Sequence, residues 1–113
     1  PSASMTAWLF AFLFTQVVEM PIYRRGLSVS WPAAFGATAI THPFVWFSYS
    51  FFHAKFGVHY WTYVAFAELF AWSVEGFYFL AITKKRSAFF WSFVANATSV
   101  VLGLLSRHFF GAP

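Results

Sequence analysis

Glu19, Glu68 and Glu75 are the only acidic residues of the chain, and each stands inside an apolar run long enough to cross a bilayer. An ionised side chain at the centre of a membrane helix costs about 2.5–3.5 kcal/mol on insertion scales, so such residues face a protein interior, pair with another group, or do chemistry. Glu68 and Glu75 are seven residues apart and therefore share one face of a helix. His42, Asn96 and Ser99 are polar residues at comparable positions in other runs. A layer of His42, Glu68, Glu75, Asn96 and Ser99 suits a proton relay, an ion site or a metal site. It suits interhelical hydrogen bonding as well, because a protonated carboxyl donates as readily as it accepts. Glu19 is set apart: it lies near the end of its run, where Arg24 and Arg25 are within reach, and reads as a cytoplasmic-boundary acid.

The histidines invite two further readings. His42 precedes Pro43, whose missing N–H is expected to kink the helix and free the carbonyl of Ala39. A lone intramembrane His among Phe and Trp is also a candidate axial ligand to a haem iron or a chlorophyll-type pigment. No second His lies at its depth to complete a bis-His site. His53, His59 and His108 all fall at the opposite end from the arginine and lysine clusters, where imidazoles could hold zinc or copper.

The composition fixes the solvent in which these side chains must be positioned. Of 113 residues, 60% are hydrophobic, 26% aromatic and only 9% charged, against about 25% charged in a soluble domain. A soluble domain of this size has too little interior for 18 Phe and 6 Trp. Four apolar runs, approximately 5–23, 31–53, 58–82 and 87–109, each approach the ~20 residues that span a hydrocarbon core. The fold class expected is therefore all-α: a polytopic membrane protein, residues 1–113 forming one four-transmembrane-helix antiparallel bundle. Ser30-Trp31-Pro32 reads as a helix start, with Ser as cap and Pro in the first turn. Ala33, Ala37 and Thr41, and likewise Ala95, Ser99 and Gly103, follow the four-residue spacing of small residues that lets helices approach closely.

Orientation follows from the cations. Arg24, Arg25, Lys84, Lys85 and Arg86 fall in the first and third connections, whereas only Lys55 and Arg107 fall at the other side. The positive-inside rule then puts connections one and three in the cytoplasm and both termini outside, in an inner or plasma membrane. Trp31, Trp61, Tyr60, Tyr23 and Trp91 stand near run ends, where aromatic belts form. The first run has no basic leader and no small-residue cleavage site, so a cleavable signal peptide is not expected, and Pro1 is compatible with removal of an initiator Met. Counted from the cytoplasmic run ends at 1.5 Å per residue, Glu19 is about 6 Å deep, Glu75 about 11 Å, Asn96 about 14 Å, His42 about 17 Å and Glu68 about 21 Å.

Several chemistries have no residues to carry them. There is no cysteine, and no phosphate-binding loop, HExxH or GxSxG is present. The short basic clusters do not resemble a nucleic-acid surface. The function expected is that of an accessory or structural subunit that packs in the lipid bilayer against other membrane proteins. The alternative is a homo-oligomeric, proton-coupled or ion- or metal-conducting transporter; a pigment- or haem-associated subunit is the lesser alternative. No catalytic set is recognisable, so an enzyme is not expected.

Overall fold

Local capping chemistry places the helix boundaries. The computed structural model describes residues 2–111, apart from the side chains of residues 2–5, 7, 49, 50 and 60. The chain ends at Pro1 and Pro113, and the belt position assigned to the Tyr60 side chain, lie outside the described residues. Four α-helices follow one another: α1 (Ser2–Leu27), α2 (Trp31–Phe56), α3 (Tyr60–Thr83) and α4 (Ala88–Phe110). The Ser30 hydroxyl accepts from the Ala33 N–H at 3.3 Å and opens α2, with Pro32 in the first turn. His59 opens α3 by accepting from the Trp61 N–H at 3.2 Å. Gly57 and Gly111 end α2 and α4 in the left-handed region, where a residue without Cβ is unstrained. Ser28 and Lys84 take the same conformation at positive φ after α1 and α3.

α1 departs from expectation in an informative way. The basic cluster at Arg24-Arg25 does not break the helix, which runs on to Leu27. Arg24 has an outlet from the helix, since its guanidinium donates to the Val29 carbonyl at 3.1 Å and stacks 4.4 Å over the Trp31 ring. α1 also continues through Pro21, and α2 through Pro43.

Each helix packs against two neighbours, α1 on α2 and α4, and α3 on α2 and α4, so α1 and α3 stand at diagonal corners. Close approach is secured by small residues: Ala34 and Ala37 on α2 and Ala88 and Ala95 on α4 are buried around Tyr23, Leu27, Val29 and Phe79. The Trp91 ring lies where a side chain on Gly26 would go, and Phe89 fills the same space at Gly76. Side chains also bond the helices through backbone carbonyls. Trp72 donates to Phe89 O at 2.9 Å while Ser92 donates back to Trp72 O at 2.9 Å, and Tyr78 reaches Ala33 O at 2.9 Å. Tyr63 donates to Val45 O at 2.5 Å and receives the Ser48 hydroxyl. Lys85 ties the third connection to the end of α1 through Leu27 O at 2.9 Å.

Burial is uneven along the bundle. Among the described residues, none before Gln16 on α1, after Thr41 on α2, before Ala67 on α3 or after Asn96 on α4 is buried. Two of the helices, over Trp61–Thr83 and Ala88–Phe110, are long and apolar enough to cross a membrane.

Candidate functional site

The polar side chains of the buried half converge on two carboxyl groups. Glu75, on α3, is 1% exposed. Its Oε1 accepts from the Tyr23 hydroxyl of α1 at 2.5 Å and from Asn96 Nδ2 of α4 at 3.3 Å. Its Oε2 accepts from the Thr41 hydroxyl of α2 at 2.6 Å. Glu19, on α1 and also 1% exposed, accepts from Thr38 of α2 at 3.1 Å and from Ser99 of α4 at 2.6 Å. Asn96 is itself held by Ser92, whose carbonyl takes its amide at 2.8 Å. Every helix contributes to one connected network. The two carboxyls, on helices at diagonal corners of the bundle, are linked through α4, where the Ser99 hydroxyl that serves Glu19 also lies 3.1 Å from the carbonyl of Asn96, which serves Glu75.

No family model, curated protein or solved structure matches this chain.

The position of Glu19 corrects its reading as a boundary acid paired with Arg24 or Arg25. Because α1 ends at Leu27 rather than Tyr23, four residues are added below Glu19, about 6 Å of helix. That moves Glu19 to the level of Glu75, where it turns inward. Tyr23 is corrected by the same extension. Instead of joining an aromatic belt it is fully buried, lies tilted with its ring 4.2 Å from that of Phe79 and bonds Glu75.

His42 does not join Glu75 and Asn96. Successive residues on a helix point about 100° apart, and it is Thr41 that faces Glu75. His42 turns toward α1, with its ring 6.1 Å from Trp8, 5.5 Å from Phe12 and 6.1 Å from Trp46. Its buried Nδ1 has no hydrogen-bond partner.

Glu68 stands two turns from Glu75 along α3, within electrostatic reach of both Glu19 and Glu75, and its buried Oε1 is also without a partner. Gln16, one turn from Glu19 on α1 and 5% exposed, donates through Nε2 to Phe35 O at 3.1 Å, while its Oε1 is unpartnered.

The three remaining histidines do not assemble. Among the described residues, no three of His, Asp and Glu are arranged to hold a metal ion. His53 meets the Val58 carbonyl at 3.1 Å, His59 caps α3, and His108 packs edge-on against Phe109. Capping and ring packing thus occupy residues whose types alone suggested a zinc or copper site.

Gln16, Thr38, Ser92 and Thr41 are site residues beyond those expected from the sequence. The first had a usable signal: Gln16, Glu19 and Tyr23 follow i, i+3, i+7 spacing and so share one helix face. The second offers a weaker one, since Thr38 and Thr41 are three apart on α2.

Proposed function

We propose that this chain is a small integral membrane protein whose four helices all cross the bilayer, and that it serves as an accessory or structural subunit against larger membrane proteins. The observation that carries this reading is the outward face. Phe10 and Val17 on α1, Phe44 and Phe51 on α2, Phe66 and Phe77 on α3, and Phe90, Phe93 and Phe109 on α4 are all exposed. Water does not tolerate contiguous apolar surface on that scale, whereas lipid and partner helices do. Rigid aromatic side chains also favour helix partners, because ring contacts add about 0.5–1.5 kcal/mol beyond simple burial. The polar network supports a structural role, since it joins all four helices and so rigidifies a scaffold. In this reading the basic first and third connections lie in the cytoplasm and both termini outside.

Photo-crosslinking residues placed at Phe77 and Phe93 test the proposal in native membranes. Adducts to a larger membrane protein are the expected result. Adducts only to further copies of this chain would overturn the subunit reading. They would favour the second one, a homo-oligomeric proton-coupled transporter, which draws on the two buried carboxyl groups, Glu19 and Glu75. A reporter fused after Pro113 checks the orientation and is expected to be active on the outer face alone.

A further inference from the structure

The fold gathers cations at one end of the bundle. Arg24 and Arg25 stand in the last turn of α1, and Lys84, Lys85 and Arg86 lie in the connection from α3 to α4. Lys85 and Leu27 are 58 residues apart in the chain, yet Lys85 Nζ donates to Leu27 O at 2.9 Å. Arg25 lies two residues before that carbonyl, and Lys84 and Arg86 flank the donor. Arg24 is fixed beside them, by its bond to Val29 O at 3.1 Å and its stacking 4.4 Å over the Trp31 ring.

Nothing in the described chain neutralises this group. All five cations are exposed. Among the described residues, the side chains of Arg25, Lys84 and Arg86 have neither a hydrogen-bond nor an ion-pair partner. Arg24 and Lys85 each bond one backbone carbonyl and keep their other N–H groups. Glu19 and Glu75 are turned inward onto hydroxyl and amide donors, and Glu68 is two turns further from this end than Glu75. The positive-inside rule accounts for the side of the membrane on which the cations lie. It does not require them to be tied together, since separate loops would satisfy it equally well.

The surroundings of the patch select the class of anion. Trp31 in the first turn of α2, Ile82 at the end of α3 and Phe90 in the first turn of α4 are exposed large apolar side chains at the same end of the bundle. Cations next to an apolar collar match a diacyl phospholipid, whose phosphate meets ammonium and guanidinium groups while its chains lie along the collar. A zwitterionic headgroup would bring its own ammonium into this field. An acidic polypeptide would answer the cations and leave the collar uncovered.

We propose that Arg25, Lys84 and Arg86, gathered by the bond from Lys85 to Leu27, form a binding site for the headgroup of an anionic phospholipid whose acyl chains pack on Trp31, Ile82 and Phe90. The inference rests on the membrane reading above. It is independent of whether the protein serves as a subunit or as a transporter.

Native mass spectrometry of the intact protein in mild detergent, with equal amounts of phosphatidylglycerol and phosphatidylcholine, tests the site. Phosphatidylglycerol is expected to be retained about tenfold more strongly. Arg25→Gln, Lys84→Gln and Arg86→Gln should each weaken that retention about fivefold, and the three together roughly a hundredfold. Lys55→Gln, at the other end, should leave it unchanged. Raising ammonium acetate from about 0.1 M to about 1 M should abolish the preference of the intact protein, because the screening length falls from about 10 Å to about 3 Å. That measurement needs no variant to fold. Equal retention of the two lipids, a preference indifferent to salt, or a triple variant that binds like the parent would each overturn the proposal. So would a loss in Lys55→Gln as large as in the patch variants. Displacement of the lipid by poly-glutamate at equal charge would overturn it by marking a protein-docking surface, and displacement by inorganic phosphate would mark a site for the free anion. All of these leave the membrane reading standing. A chain that stays dispersed in buffer without detergent would remove that reading, and this inference with it.

Discussion

The two ends of this bundle obey different rules. Toward the basic connections, every helix buries residues, and Glu19, Glu75, Thr38, Thr41, Ser92 and Asn96 are packed with nearly every side-chain polar atom engaged. Toward the α2–α3 connection the described helices bury no residue beyond Gln16, Thr41, Ala67 and Asn96. Large apolar side chains there, such as Phe51, Phe56, Trp61 and Phe109, are exposed, and an open cavity of about 550 Å³ is lined by Trp61, Leu104, Arg107 and His108. Both ends are rich in aromatic residues, so hydrophobicity does not distinguish them. What does is the supply of small residues and matched polar groups: Ala34, Ala37, Ala88, Ala95, Gly26 and Gly76 all fall in the closed half. In a membrane, where apolar contact with lipid is as good as contact with protein, close packing and polar pairing are what hold helices together.

The largest test of this contrast is the removal of its central acceptor. Glu75→Leu leaves the Tyr23 hydroxyl, the Thr41 hydroxyl and an Asn96 N–H without a partner, and buried orphans cost about 1–3 kcal/mol each. Thermal unfolding in detergent, followed by Trp fluorescence, is expected to show a loss of about 3 kcal/mol or failure to fold. Glu75→Gln retains an acceptor and should lose less than half as much. A Leu variant as stable as the parent would mean that the network does not close this half.

An intermediate effect separates the two halves by the same substitution. Gly76→Ala drives a methyl group into Phe89, and overpacking of this kind costs about 1–3 kcal/mol. Gly103→Ala, in the open half, meets only Phe14 at 3.9 Å, an ordinary contact. There the gain in helix propensity, about 1 kcal/mol, is expected to dominate and make the change neutral or stabilising. Equal losses at the two sites would erase the distinction between closed and open ends.

The smallest effects are expected for changes outside the network. Glu68→Gln and Phe109→Ala should each alter stability by no more than about 0.5 kcal/mol, as is usual for sites away from packed features. A loss of 2 kcal/mol at Phe109 would show that the open end is packed in solution after all.

Much of this architecture can be read from residue order, and the failures have identifiable causes. The four helices, the Ser30 cap and the inward turn of Glu75 and Asn96 follow from run length, cap chemistry and helical spacing. Glu19 was misplaced because a basic pair reads as a loop, whereas Arg24 escapes sideways onto Trp31 and the Val29 carbonyl and lets α1 continue. One error of four residues at a helix end therefore displaced two site residues, Glu19 and Tyr23. His42 failed for a different reason. Depth places His42 and Thr41 at nearly the same level, but only the rotational position of α2 decides which of them meets Glu75. That angle is set by packing of Ala34 and Ala37; the small-residue spacing of Ala33, Ala37 and Thr41 marks a contact face of α2 without telling which helix it meets.

The network also sets an order for biogenesis. Glu19 is synthesised with the first helix, yet one of its two hydroxyl donors, Ser99, comes from the last. Glu75 similarly waits for Asn96. In the membrane reading proposed above, a nascent chain that has emerged only as far as α3 holds two incompletely solvated carboxyl groups while ribosome and insertion machinery remain engaged. Release of α4 completes both coordination shells together, so the final helix acts as a latch for the three before it. Early termination within α4 should consequently expose the chain to membrane quality control rather than leave a functional three-helix remnant.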